Sequence, residues 1–100
     1  MKSLVLVENK KFQIHDRKLP ILSKSLYRVR IRKSGICSSD IYRSHEKGAY
    51  HYPLVMGHEL VGEIIEAGED VNGYRVGSRV AVFPLLPCFK CEACKKEVYA

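Results

Sequence analysis

The chain has 100 residues, room for one small domain with a thin core. Its hydrophobic fraction of 46% excludes disorder as the default state, and no apolar run approaches membrane-spanning length. The net charge of +6 is spread along the chain rather than blocked, which favours a solvated face over a nucleic-acid patch.

The first apolar run, Leu4 to Val7, is too short for the apolar core of a signal peptide, and no small-residue cleavage site follows it. We therefore expect a soluble, cytoplasmic chain with no membrane partner. Leu4 and Leu6 mark one strand, Phe12-Gln13-Ile14-His15 alternates as a second, and Asn9-Lys10-Lys11 between them suits a hairpin turn. After the break at Pro20, Tyr27 to Arg32 gives the cleanest alternation. It predicts Tyr27, Val29 and Ile31 on a buried face and Arg28, Arg30 and Arg32 in solvent. That segment ends at Gly35. Ser38-Ser39-Asp40 offers helix-capping side chains, which predicts a short helix to about Arg43, and Ser44 to Pro53 reads as a loop. Leu60 to Ala67 predicts a buried strand, Gly68 and Asn72-Gly73 a turn region, and Arg79 to Phe83 a last strand cut off by Pro84 and Pro87. The pattern is that of a mainly β chain, as in a small barrel.

Three residue sets carry chemistry. Cys37 in GICSSD, taken alone, reads as a small buried hydrophobe. His58 and Glu59 lie between Gly57 and Gly62, where the backbone turns tightly or approaches something closely. Thiolate, imidazole and carboxylate are all zinc ligands, and a catalytic zinc typically keeps three protein ligands and one open position. Cys88, Cys91 and Cys94 in CFKCEAC have a spacing that lets three thiolates converge on one ion. Without a secretory signal, such clustering favours metal over disulfide.

GICSSD, GHELVGEIIEAG, the VGSRV of Val76 to Val80 and the C-x2-C-x2-C loop occur in the order and approximate spacing of the zinc-dependent medium-chain dehydrogenases. The chain resembles their N-terminal GroES-like catalytic domain over its whole length. Gly57, His58, Glu59, Gly62 and Gly68 meet the family signature G-H-E-x-x-G-x5-G. GAYHYPLVMGHE and FPLLPCFKCEAC look most like the polyol dehydrogenases of that family, with threonine dehydrogenases next.

The resemblance implies a mainly β fold, a GroES-like, partly open β-barrel with short helices, incomplete within residues 1–100. It implies Cys37 and His58 as ligands of a catalytic zinc, with Glu59 ligating it or standing behind it. Ser39 would hydrogen-bond the substrate hydroxyl and pass its proton toward solvent, and Asp40 would orient His58. Cys88, Cys91 and Cys94 would hold a structural zinc whose fourth cysteine is expected past Ala100. The implied activity is zinc-assisted hydride transfer from a polyol or sugar-phosphate alcohol to NAD, by a homo-oligomeric full-length protein, with residues 1–100 alone inert. No G-x-G-x-x-G occurs among the seven glycines, so the nucleotide-binding Rossmann domain is expected outside this chain.

The sequence also departs from the family pattern. Ser38 replaces the usual Gly after the first cysteine, Ser78 removes a carboxylate from the G-D-x-V turn, and Ile41-Tyr42 stand where some members carry a relay histidine. Tyr42 reads as a core or surface tyrosine before a pocket wall, and His45 and His51 as solvated. Two other readings stay open. One is a stand-alone zinc module on nucleic acid, which has against it the lack of a second C-x2-C pair and of a recognition-helix pattern. The other is a GroES-like structural domain, which has no need of Cys37 or of G-H-E.

Overall fold

The computed structural model describes residues Met1–Tyr99. Strands β1 (Lys2–Glu8) and β2 (Lys11–Asp16) pair antiparallel from Lys2↔Asp16 to Glu8↔Lys11, with a bulge between Leu6 and Glu8. The turn is Asn9-Lys10, with Lys10 at φ 63°, so Lys11 belongs to the strand rather than to the expected three-residue turn. The Lys10 N–H donates to the Ser44 carbonyl at 2.7 Å, tying this hairpin to the helical segment that follows β3.

Strands β3 (Tyr27–Ser34), β4 (Leu60–Ala67) and β5 (Arg79–Val82) form an antiparallel sheet in that order. A backbone bridge ties β1 to the segment before β4, with Leu6 N–H donating to Leu54 O at 2.8 Å and Leu54 N–H to Leu6 O at 2.9 Å. Val5, Leu6 and Ile64 are the buried hydrophobic residues among those described. The core is thin because the shape is open. The Cα radius of gyration is 15.8 Å, against about 13 Å for a compact domain of this length.

The alternation in β3 does not sort its residues as expected. Tyr27 and Val29 are half-buried, but Ile31 is 44% exposed. Register shifts between Arg28 and Val29 and between Ile31 and Lys33 break the two-residue period, and the sheet face beyond them is uncovered. The arginines instead find acids across the strand: Arg28 Nε lies 3.2 Å from Glu66 and Arg32 Nη2 2.9 Å from Glu63. Arg32 holds the Glu63 carboxyl below the usual carboxylate range by hydrogen bond and charge.

Between β3 and β4, helix α1 (Ser38–Tyr42) runs directly into a π turn (Arg43–Lys47). This corrects the loop expected from Ser44. Ser44 is buried, and its hydroxyl contacts the Ile41 carbonyl at 3.1 Å and His45 Nδ1 at 2.7 Å. The last strand ends at Val82, one residue early, and a short helix α2 (Glu92–Lys95) lies within the cysteine loop. Among the described residues no helix is long and apolar enough to cross a membrane.

Candidate metal centres

The first cluster follows from the register of β3 on β4. Ser34 pairs with Leu60, and the Gly35 N–H extends the ladder by donating to the Glu59 carbonyl at 2.8 Å. In an antiparallel pair the chain leaving one strand and the chain entering the next share one end. Cys37, three residues beyond β3, and His58, two residues before β4, therefore meet there.

Two glycines make room. A Cβ at Gly35 would overlap the Glu59 carboxylate and approach Glu59 Cβ at 2.9 Å. Gly57 has φ +115°, a backbone that a side chain strains, and this bend presents His58 to Cys37.

Ligand atoms of Cys37, His58 and Glu59 lie within 4.8 Å of one another. Helix α1 is capped by Cys37 rather than by the serines, because the Cys37 N–H donates to Asp40 Oδ2 at 3.1 Å from the first turn. The other oxygen of Asp40 lies 3.4 Å from His58 Nδ1. One carboxylate thus fixes both the cysteine backbone and the imidazole, leaving the second ring nitrogen toward Cys37.

The Ser39 hydroxyl and backbone, followed by the His58 ring, hold the Cys37 thiol below its ordinary range, against burial. His58 is pushed up, first by its contact with Cys37 and further by the charges of Asp40 and Glu59, against burial. A soft thiolate, an imidazole and a carboxylate at this separation fit zinc.

The second cluster is local. Cys88 Sγ and Cys94 Sγ are 3.8 Å apart, and the Cys91 N–H points at Cys88 Sγ at 3.4 Å. Metal–sulfur bonds of about 2.3 Å in a tetrahedron give sulfur–sulfur edges of about 3.8 Å, so these thiols already stand at the spacing of a zinc site. Phe89, at φ 55°, turns the loop back, and Cys91 caps α2 so that Cys94 returns to the group. The backbone N–H groups of Lys90 and Cys91, with contacts from the Cys91 and Cys94 side chains, lower the Cys88 thiol to about 7. Three cysteines gather here among the described residues. The expected fourth lies outside them.

Asp40 lies 3.4 Å from His58 of the first cluster, and Ser39 precedes it in the first turn of α1. Tyr42 is 55% exposed and lines a small cavity with Ser39, and His51 is exposed. His45 is also exposed, yet its ring engages Ser44 and stacks obliquely on Phe12 at 6.4 Å between centroids. The sequence reading assigned no basic residue to the site. The structure sets Arg43 and Lys47 around the small cavity that Ser39 lines. No sequence signal marked them, because residues from Ser44 onward read as loop while the structure winds them into the π turn.

Comparison with known proteins defines the class. The alcohol dehydrogenase GroES-like domain matches residues 23–100, and the chain belongs to that family. Galactitol 1-phosphate 5-dehydrogenase of Escherichia coli K12 is 45% identical over 73 residues, covering 73% of this chain and 21% of that protein. The crystal structure of galactitol-1-phosphate dehydrogenase from Escherichia coli matches with a TM-score of 0.91 at 39% identity, over 99% of this chain and 29% of that one. A short chain alcohol dehydrogenase of Escherichia coli CFT073, complexed with the cofactor NADH, matches with a TM-score of 0.87 at 38% identity, over 96% of this chain and 28% of that one. The chain thus spans between about a fifth and a third of the length of these relatives.

Proposed function

We propose that residues 1–100 are the zinc-holding catalytic portion of an NAD-dependent dehydrogenase that oxidises a secondary alcohol of a polyol or sugar phosphate. A galactitol 1-phosphate-like substrate is the first choice. Sorbitol, threonine and other alcohols are the alternatives. The observation that carries the reading is the convergence of Cys37, His58 and Glu59 within 4.8 Å, backed by Asp40. The NADH in the structure of a relative 38% identical to this chain supports the choice of nicotinamide. In this reading the nucleotide-binding unit lies outside these residues.

Cys37 and His58 would hold the catalytic zinc, with Glu59 ligating it or standing behind it. Cys88, Cys91 and Cys94 would hold the structural one. Zinc held by Cys37 and His58 would supply Lewis acidity toward an alcohol oxygen, and a nicotinamide would supply the hydride acceptor. Asp40, 3.4 Å from His58 Nδ1, would keep the ring oriented by its charge. Ser39, two residues beyond Cys37 in α1, would accept the proton of the substrate hydroxyl and pass it to solvent through water. No relay histidine is needed for that path.

Cobalt(II) titration of the chain, followed by its visible absorption, tests the reading. We expect two binding events, one with the thiolate-to-metal intensity of a single cysteine and one with that of several. Cys37→Ser and His58→Ala remove the first event. An unchanged titration in both variants would overturn the assignment.

A further inference from the structure

The cavity next to the first cluster carries an inference about what the substrate bears. Its volume is about 280 Å³, and its walls include Ser39, Tyr42, Arg43, Lys47 and Tyr50. Ser39 lies in the first turn of α1, two residues beyond Cys37, and lines this cavity. A molecule whose hydroxyl meets Ser39 therefore extends into a space walled by two cations.

Those cations share one wall for a backbone reason. Arg43 and Lys47 open and close the π turn, whose wider i→i+5 winding brings residues four apart onto one face. Such turns are frequent at functional sites. The Arg43 guanidinium lies over the Tyr50 ring at 5.0 Å from its centre, which orients the planar fork before any ligand arrives. No carboxylate lines the cavity, and none of the ion pairs among the described residues engages Arg43 or Lys47. This contrasts with Arg28 and Arg32, which are neutralised across the sheet by Glu66 and Glu63. A rigid guanidinium and a mobile ammonium facing one small cavity match a tetrahedral dianion.

We infer that Arg43 and Lys47 form a phosphate-monoester subsite beside Ser39, so that the substrate is a phosphorylated polyol rather than a free one. The inference rests on the proposed dehydrogenase reading and narrows its substrate class. The subsite takes the phosphoryl end while the reacting hydroxyl sits at Ser39.

The test uses the zinc-loaded chain and amide NMR shifts, titrated at low salt with inorganic phosphate, glycerol 1-phosphate and glycerol. We expect both phosphates to give saturable shifts centred on residues 39–50, and glycerol to give none. Lys47→Gln and Arg43→Gln each weaken the phosphates about tenfold, and Arg43→Lys restores part of the loss. The exposed Lys47 variant keeps the test decisive if the Arg43 variants fold poorly. Equal response to glycerol, or phosphate affinity unchanged in Lys47→Gln, overturns the subsite, including the case in which phosphate sits on the metal alone. Cobalt absorption at the first cluster is read in the same samples. An intact cobalt signal without phosphate preference sinks the subsite and spares the dehydrogenase reading, and the opposite pair of results does the reverse.

Discussion

The two candidate metal centres are built in opposite ways. Cys88, Cys91 and Cys94 come together within seven residues, through one left-handed residue at Phe89 and one turn of helix. Cys37 and His58 are separated by the whole segment from α1 to the start of β4, and only the pairing of β3 with β4 joins them. The first arrangement needs a loop and the second needs a sheet. A local site therefore survives damage to the sheet that a non-local site does not.

The strongest way to break this comparison is Gly62→Val in β4. A Cβ there would stand 2.5 Å from the Arg30 carbonyl and 2.7 Å from Val29 Cγ1, forcing β3 and β4 apart. We expect cobalt binding at Cys37 and His58 to be abolished while the thiolate-rich absorption of the downstream cluster persists. Loss of both signals together would show that the loop depends on the sheet after all.

Cys91→Ser is the mirror experiment. Structural zinc sites bind with about 10–16 kcal/mol overall, so one ligand of several is worth on the order of 100-fold in affinity. Zinc stoichiometry by competitive chelation should fall by one, with the Cys37 site untouched.

Asp40→Asn sharpens the comparison further, because only the upstream cluster has a carboxylate behind its histidine. Partners of this kind contribute about 10–100-fold in metal affinity. The loss should appear at the first cluster alone in a cobalt titration resolved by wavelength.

The smallest effects concern thiol reactivity in the metal-free chain. Alkylation of Cys88, followed by mass spectrometry against pH, should show its inflection at about 7, below which the thiol is protonated and slow. Ser39→Ala removes the largest cause of the lowered Cys37 thiol. The alkylation profile of Cys37 should move to higher pH while that of Cys88 stays in place.

Legibility in the sequence followed the same divide. The strand over Leu60–Ala67 was legible to the residue from its Leu, Val and Ile content and the stop at Gly68. The hairpin of β1 and β2 was legible from alternation and its polar turn. The burial of β3 was not, because bulges shift the side-chain period and an open sheet leaves Ile31 uncovered. The helix after β3 was legible but its cap was not. Serines are the usual capping residues, whereas here Asp40 reaches back to the Cys37 N–H and frees the serines for other partners. The π turn had no signature, since it depends on burying Ser44 under the first hairpin and on the Lys10 N–H bond to its carbonyl.

At the sites, spacing alone brought Cys88, Cys91 and Cys94 together, because a chain of so few residues can reach back only to itself. Cys37, His58 and Glu59 were named from the sequence by a family resemblance, and their spacing along the chain says nothing of contact. Their meeting was decided by the antiparallel register that sets Ser34 opposite Leu60 and by the absence of a side chain at Gly35. The placing of Arg43 and Lys47 on one wall with Ser39 was likewise a product of backbone winding, which no pattern of residue types records. Residue chemistry was thus written in the sequence, while proximity between distant residues came only from the pairing of strands.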